Sequence, residues 1–112
     1  GRVLVMFQPH GFGPIKKMRR EFAECFAENL KPEDILLMPE PAYFGGTVDR
    51  SVGSADLAAD IRALGKSAEA LGDRAACGAR LVELAKPGDR IVVMGARDDT
   101  LTTFAQDLLT RL

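Results

Sequence analysis

The chain has no tryptophan, a single histidine and only two cysteines among its 112 residues. Cys25 and Cys77 lie in helix-like stretches and lack the spacing of a zinc site, so we expect buried free thiols in a reducing compartment. No histidine, cysteine or serine stands in a recognisable nucleophile arrangement. The sequence therefore predicts neither a metal site nor a catalytic residue within these residues.

The chain also lacks a strong net charge and a long apolar run. Its formal net charge of −1 gives no broad electrostatic attraction to nucleic acid. No stretch approaches the ~20 apolar residues that span a bilayer, and no signal peptide is present. We therefore expect one cytoplasmic domain over residues 1–112 with neither a nucleic-acid nor a membrane partner. Because it begins at Gly1 and a strand follows at once, we expect a fragment of a longer protein.

Apolar runs and helical periodicity alternate along the chain. Strands are predicted at 3–8, 34–38, 67–71 and 90–94, and helices at 14–30, 54–64, 73–86 and 100–112. This alternation predicts an α/β fold, a Rossmann-like three-layer sandwich with a mostly parallel sheet. Within the helices, Ser54 is expected to be an N-cap, Gly65 a C-terminal cap, and Met18 and Cys25 part of an inward apolar stripe.

The strands at 3–8 and 90–94 are the most apolar, which predicts that they are central neighbours. If the other two strands extend to one side, the chain reverses direction between these neighbours. Ligands of open α/β sheets bind in the crevice at such a point. The walls of that crevice would be residues 8–13 and 95–99.

Gln8, Pro9, His10 and Gly11 follow the first strand, where Pro9 ends the sheet ladder. His10 is a candidate contact for a substrate carboxylate or phosphate, and the alternative is a histidine that caps or packs the strand exit. The glycines at 11 and 13 precede a helix and either cradle an anion or simply form the turn, which we favour. No dinucleotide fingerprint or P-loop occurs.

Two further loops carry candidates. Gly45, Gly46 and Thr47 lie in a long Pro- and Gly-rich loop, where they either approach a ligand closely or form a loop corner. Arg97 and Asp98 follow the last strand, where Arg97 suits a carboxylate and an aspartate suits a substrate amine. Asp99 is also a plausible N-cap of the last helix. The residues alone predict an α/β domain with a site at one sheet edge.

Four stretches, in order, resemble the C-terminal domain of the Mur ligases, especially the UDP-N-acetylmuramate–L-alanine and murein tripeptide ligases. They are residues 2–10, which end in Phe-Gln-Pro-His, residues 21–26, Glu-Phe-Ala-Glu-Cys-Phe, residues 52–59, which contain Ser-Ala-Asp-Leu, and residues 84–96, which contain Lys-Pro-Gly-Asp and Met-Gly-Ala. The resemblance covers nearly the whole chain.

The resemblance implies a three-domain cytoplasmic ligase of peptidoglycan precursor synthesis or recycling. Its N-terminal domain would bind the UDP-sugar, and its central domain would carry ATP and Mg²⁺, with neither expected to be held by this fragment alone. The C-terminal domain would bind the incoming amino acid or peptide, with Gln8, His10, Gly11, the 45–47 backbone, Arg97 and Asp98 as substrate contacts. On its own it is expected to be inactive.

The chain departs from that family at several of these positions. Gly11 and Pro14 stand where the alanine ligases usually have arginines, which puts L-alanine specificity in doubt. The family's final Gly-Ala-Gly-Asp reads here as Gly-Ala-Arg-Asp at 95–98, which adds a cation. A diverged ligase with another substrate, a nucleotide-binding or regulatory module, and a docking domain without a ligand therefore remain alternatives.

Overall fold

The protein is described by a computed structural model that covers residues 2–8, 12–39, 53–95 and 100–112, with only the backbone described for residues 12–17. The helices and strands alternate from the first strand to the last helix. They are β1 Val3–Gln8, α1 Phe12–Asn29, β2 Ile35–Pro39, α2 Ser54–Ala63, β3 Ser67–Leu71, α3 Arg74–Leu84, β4 Arg90–Gly95 and α4 Thr100–Arg111. The predicted order of elements is confirmed.

The four strands form one parallel sheet in the order β3-β2-β1-β4. β1 pairs with β4 along its whole length, from Val3 opposite Arg90 to Gln8 opposite Gly95. The chain therefore places β2 and β3 on one side of β1 and β4 on the other, so the predicted reversal between β1 and β4 is confirmed.

Side chains alternate across β1 and feed two separate cores, which explains why the strand is continuously apolar. Val5 faces a core shared with α1 and α2, whereas Leu4 and Met6 face a core shared with α3 and α4. On the first face Phe7 lies 5.8 Å from the Phe22 ring and 5.4 Å from the Phe26 ring, measured between centroids. These contacts seat α1 over β1 and give the predicted sandwich.

Several predictions about burial are wrong. Met18 is 45% exposed and Cys25 is also exposed, because the described part of α1, from Met18 onward, packs on the sheet through the stripe around Phe22, Ala23 and Phe26. α1 also departs from helical geometry at Met18, where two helical segments meet. β4 neighbours β1 as predicted, but it is an edge strand of the four-stranded sheet rather than a central one.

Of the two predictions about the ends of α2, one is wrong and the other is confirmed. Gly53, not Ser54, is the N-cap residue, and its N–H donates to the Asp56 carboxylate at 2.9 Å. Gly65 has a φ of +90°, a left-handed conformation that suits glycine just after a helix. The Gly65 cap is therefore confirmed. None of the described helices is long and apolar enough to cross a membrane.

Two carboxylates, one buried and one half-buried, stabilise the amino edge of the sheet, where its strands begin. Asp34, 4% exposed, accepts hydrogen bonds from the Val3 and Lys31 backbone N–H groups at 2.8 and 2.9 Å. Asp89 accepts from the Lys86 N–H at 2.9 Å and from Arg2 Nε at 3.1 Å. The turns that precede β2 and β4 are thereby tied to the start of β1, which fixes the register of the three strands.

The pKa of Asp34 reflects this role. Burial alone would raise it, but the hydrogen bonds from Val3 and Lys31, with the charges of Lys31 and Lys66, hold the pKa below its ordinary value of 3.8. A carboxyl whose pKa is depressed by folding stabilises the fold above its unfolded pKa. That stabilisation is lost as the pH falls through the folded pKa.

Asp34→Asn is expected to lower the free energy of unfolding at neutral pH by about 1–3 kcal/mol, because the amide leaves one buried N–H without an acceptor. The variant should lose part of the wild type's dependence of stability on pH below about pH 4. Urea denaturation at several pH values measures both effects. An Asn variant as stable as the wild type at pH 7 would contradict the structural role assigned to Asp34.

Candidate functional site

The carboxyl ends of β1 and β4 meet at the point where the chain reverses direction. Gln8, the last residue of β1, pairs with Gly95, the last residue of β4. Gln8 is only 7% exposed and has a polar or charged partner. Because ligands bind where neighbouring parallel strands send their loops in opposite directions, this junction is the candidate site of the fold.

Gly95 allows the two strand ends to approach closely. A Cβ placed on Gly95 would lie 2.9 Å from the Gln8 carbonyl oxygen and 2.8 Å from Leu101 Cδ1 of α4. Any larger residue would push β4 away from β1 or displace the start of α4. The absence of a side chain at Gly95 therefore allows the ends of β1 and β4 and the start of α4 to pack closely together.

The start of α3 adds a cation to the same edge. Arg74 Nη1 donates to Thr100 Oγ1 at 2.7 Å, and the guanidinium lies 5.9 Å from the centre of the Phe104 ring. Asp73 caps α3 by accepting from the Ala76 N–H at 2.8 Å. Arg74 thus links the first turns of α3 and α4. Sequence analysis did not single it out, and its only signal was its place directly after a helix cap.

The described residues on either side of segment 40–52 are also held together at the carboxyl edge. Ser54 Oγ donates to the Pro39 carbonyl at 2.6 Å, which joins the end of β2 to the start of α2. Ser54 is fully buried. This hydrogen bond and the Gly53–Asp56 bond described above fix the positions of Pro39 and Gly53, the described residues that flank that segment.

A second concave surface lies elsewhere, between α1 and the C-terminal end of α2. This groove of about 590 Å³ includes Arg19, Arg20, Glu24 and Asp60 in its lining. These four charged groups are paired with one another, since Arg19 binds both Asp60 carboxylate oxygens and Arg20 binds Glu24, and Glu21 also lies in the lining. Such pairs satisfy the charges internally, so the groove offers less for a ligand than the β1–β4 junction does.

The described thiols and acids do not form a reactive or metal-binding cluster. Burial, followed by the charges of Asp73 and Glu69, raises the pKa of Cys77 to about 12, which leaves its thiol protonated at neutral pH. Among the residues that the structure describes, no three His, Cys, Asp or Glu side chains stand close enough to hold a metal ion.

Comparison with known proteins identifies a set of relatives. No protein-family model matches the chain. The chain is, however, 32% identical over its whole length to a UDP-N-acetylmuramate–L-alanine ligase of Rhizobium etli and 33% identical to one of Dinoroseobacter shibae. A Synechococcus protein of the same name is 34% identical over 87% of the chain. The chain is homologous to the Mur ligases. The predicted resemblance to a Mur ligase C-terminal domain is confirmed.

The chain spans about a fifth of the length of these relatives, at 23%, 23% and 19% respectively. Its fold is that of a single α/β unit. The two strands that meet at the reversal point are β1 and β4. Both carry motifs of the resemblance, at 7–10 and 86–96.

Of the substrate contacts predicted from the sequence, the structure describes Gln8, at the junction itself. The others lie outside the described residues; these are His10, Gly11, Gly45, Gly46, Thr47, Arg97 and Asp98. Asp99, the predicted cap of α4, lies there too. The strands that precede them in the sequence, β1, β2 and β4, end at the carboxyl edge of the sheet. Their roles stay predictions.

Gly95→Ala is expected to lower the free energy of unfolding by roughly 1–3 kcal/mol, because its methyl group would collide with the Gln8 backbone and with Leu101. Gly72→Ala is the matched control, since a Cβ at Gly72 meets no atom within 4 Å. Thermal or urea denaturation of both variants measures the difference. Equal stability of the two variants would contradict the close packing assigned to the β1–β4 junction.

Proposed function

We propose that residues 1–112 are the C-terminal, amine-substrate-binding domain of an ATP-dependent ligase. This ligase forms an amide on UDP-N-acetylmuramate in peptidoglycan precursor synthesis or recycling. The observation that carries the proposal is the similarity over the whole chain to proteins named UDP-N-acetylmuramate–L-alanine ligase. The rest of the parent polypeptide would hold the UDP-sugar, ATP and Mg²⁺, and work in the cytoplasm.

The position of the candidate residues supports an amine-binding role. His10 follows the Gln8 end of β1 by two residues, and Arg97 follows the Gly95 end of β4 by two residues. Gln8 and Gly95 are paired, so each candidate follows one of two adjacent strand ends in the sequence. Histidine and arginine side chains suit the carboxylate that every amino acid or peptide substrate carries.

Each candidate residue has a distinct role in this proposal. Arg97 pairs with the substrate carboxylate, and His10 donates a second hydrogen bond to it. Asp98 accepts a hydrogen bond from the substrate amine and so orients its lone pair. The backbone of Gly45–Thr47 and of Gly11 approaches the substrate closely, because the glycines there have no side chain. Gln8 supports the floor of the site.

The chemistry of such a ligase has two steps. The carboxylate of the UDP-sugar attacks the terminal phosphate of ATP, and ADP leaves with formation of an acyl phosphate. The amine then attacks the acyl carbon, phosphate leaves, and the nitrogen loses a proton. Closure of this domain over the other two would keep water from the acyl phosphate, which it would otherwise hydrolyse.

Gly11 and Pro14 favour a diverged amine specificity. The resemblance places substrate-holding arginines at these positions in the alanine ligases, and neither residue here carries a charge. Arg97, which replaces a family glycine, supplies a cation from the opposite wall. The amine substrate is therefore L-alanine held differently, or a larger amine such as the murein tripeptide.

ADP release by the full-length parent tests the proposal. With ATP, Mg²⁺ and UDP-N-acetylmuramate present, turnover should depend on added L-alanine or murein tripeptide, and the preferred amine names the substrate class. Absence of turnover with both amines, together with nucleotide binding by these 112 residues alone, would instead indicate a nucleotide-binding or regulatory module.

Arg97→Ala in the parent is expected to raise the KM for the amine about tenfold to a hundredfold, because a charge-assisted hydrogen bond to a carboxylate is lost. The KM for ATP should stay unchanged, since the rest of the polypeptide would hold ATP. His10→Ala should act in the same direction. Arg20→Ala is the control, because Arg20 is exposed on α1 and pairs only with Glu24 among the contacts described. An unchanged amine KM in Arg97→Ala would contradict the assignment.

A further inference from the structure

A short connection of four residues, 96–99, joins β4 to α4 and includes the candidate contacts Arg97 and Asp98. Four residues have a limited reach. The positions of the described residues on either side, Gly95 and Thr100, therefore limit where the two candidates can lie. Whatever fixes Gly95 and Thr100 contributes to the geometry of the proposed substrate site.

The Gly95 end of this connection is fixed by the sheet and by one packing contact. Gly95 pairs with Gln8 in the β1–β4 ladder, and a Cβ at Gly95 would lie 2.8 Å from Leu101 Cδ1 of α4. Leu101 is 8% exposed and belongs to the core on that face of the sheet. A single packing contact leaves a helix able to turn about that point, so further contacts are needed to fix the start of α4.

α3 supplies two of these contacts through the Phe104 ring. A Cβ placed on Gly78 would lie 3.3 Å from two atoms of this ring, so the ring packs against α3 where a glycine leaves room for it. The Arg74 guanidinium lies 5.9 Å from the centre of the same ring, within the range of a cation–π contact. Since Arg74 and Gly78 are four residues apart, they share one face of α3. That face therefore holds the first turns of α4.

Arg74 also binds the first residue of α4 directly. Its Nη1 donates to Thr100 Oγ1 at 2.7 Å. Arg74 is itself the first residue of α3 and follows the N-cap Asp73, whose carboxylate accepts from the Ala76 N–H at 2.8 Å. The hydrogen bond thus joins Thr100 to the capped start of a second helix, which fixes the far end of the connection.

The second arginine of α3 has a different role. Arg80 donates to both carboxylate oxygens of Glu69 on β3, at 3.1 and 3.2 Å, and to Glu83 of its own helix at 2.7 Å. These bonds hold α3 to β3 and to itself. Arg80 therefore serves as a matched control for Arg74, because it has the same side chain on the same helix but different partners.

We propose that Arg74 is a positioning residue for the amine substrate. By holding Thr100 and Phe104 it fixes the start of α4, and so it limits where Arg97 and Asp98 can lie. The proposal rests on the proposed function, in which Arg97 pairs with the substrate carboxylate. A misplacement of about 1 Å can reduce the rate of an enzyme about a hundredfold. A contact outside the site can therefore influence substrate use.

Kinetics of the full-length parent test this role. Arg74→Met keeps the length of the side chain but removes its charge and donors, and it is expected to raise the KM for the amine about threefold to tenfold. The KM for ATP should stay unchanged, as it would not if the variant merely unfolded the protein. Thr100→Val should act in the same direction because it lacks the accepting hydroxyl, whereas Thr100→Ser and Arg80→Met should leave the amine KM unchanged. An unchanged amine KM in both Arg74→Met and Thr100→Val would overturn the proposal.

A double-mutant cycle with Arg97 separates positioning from direct binding. If Arg74 acts through Arg97, Arg74→Met should change the amine KM by less than about twofold in the Arg97→Ala background. An increase of the same size in both backgrounds would overturn the proposal, because it would indicate an independent contact with the substrate.

The same measurements distinguish this proposal from the proposed function. An increase in amine KM in Arg97→Ala but not in Arg74→Met or Thr100→Val would overturn the role of Arg74 alone. An unchanged amine KM in Arg97→Ala would overturn both, because Arg74 would then have no substrate contact to position.

Discussion

The fold depends on the parallel pairing of β1 with β4 from Val3 opposite Arg90 to Gln8 opposite Gly95. This pairing brings together two strands that lie far apart in the sequence, and it separates the two cores on either side of the sheet. At one end it is fastened by Arg2 and Asp89, and at the other it allows close contact because Gly95 has no side chain. The same ladder thus stabilises the fold and creates the candidate site.

The amino and carboxyl ends of the parallel strands have different roles. At the amino edge, Asp34 and Asp89 accept backbone hydrogen bonds, and Lys66 Nζ donates to the Leu30 carbonyl at 2.6 Å. These charged groups are occupied in holding turns together. At the carboxyl edge, β1, β2 and β4 end at Gln8, Pro39 and Gly95, directly before the segments of the sequence that carry the other candidate residues. The turns at the amino edge thus hold in register the strands whose carboxyl ends form the candidate site.

Element order and strand order could be predicted because continuous apolar runs identify strands buried on both faces, and the reversal follows from which runs are most apolar. The exposure of Met18 and Cys25 could not, because periodicity shows which residues share a helix face but not how wide a stripe the sheet covers. Nor could the edge position of β4, since its run Ile-Val-Val-Met is as apolar as that of a central strand. Arg74 was missed because its contacts with Thr100 and Phe104 join distant helices. The residues around His10, Gly45 and Arg97 are candidates because of their residue types. Their backbone conformation could not be predicted, because the sequence there has no periodicity.

The most direct test of a substrate site at the β1–β4 junction is a structure of the full-length parent with its amide product bound. The account predicts that the part of the product derived from the amine lies over the paired ends of Gln8 and Gly95, with its carboxylate within hydrogen-bond distance of Arg97 and His10. Product bound instead in the groove between α1 and α2, or with its amine-derived part away from the carboxyl edge of this domain, would contradict the account.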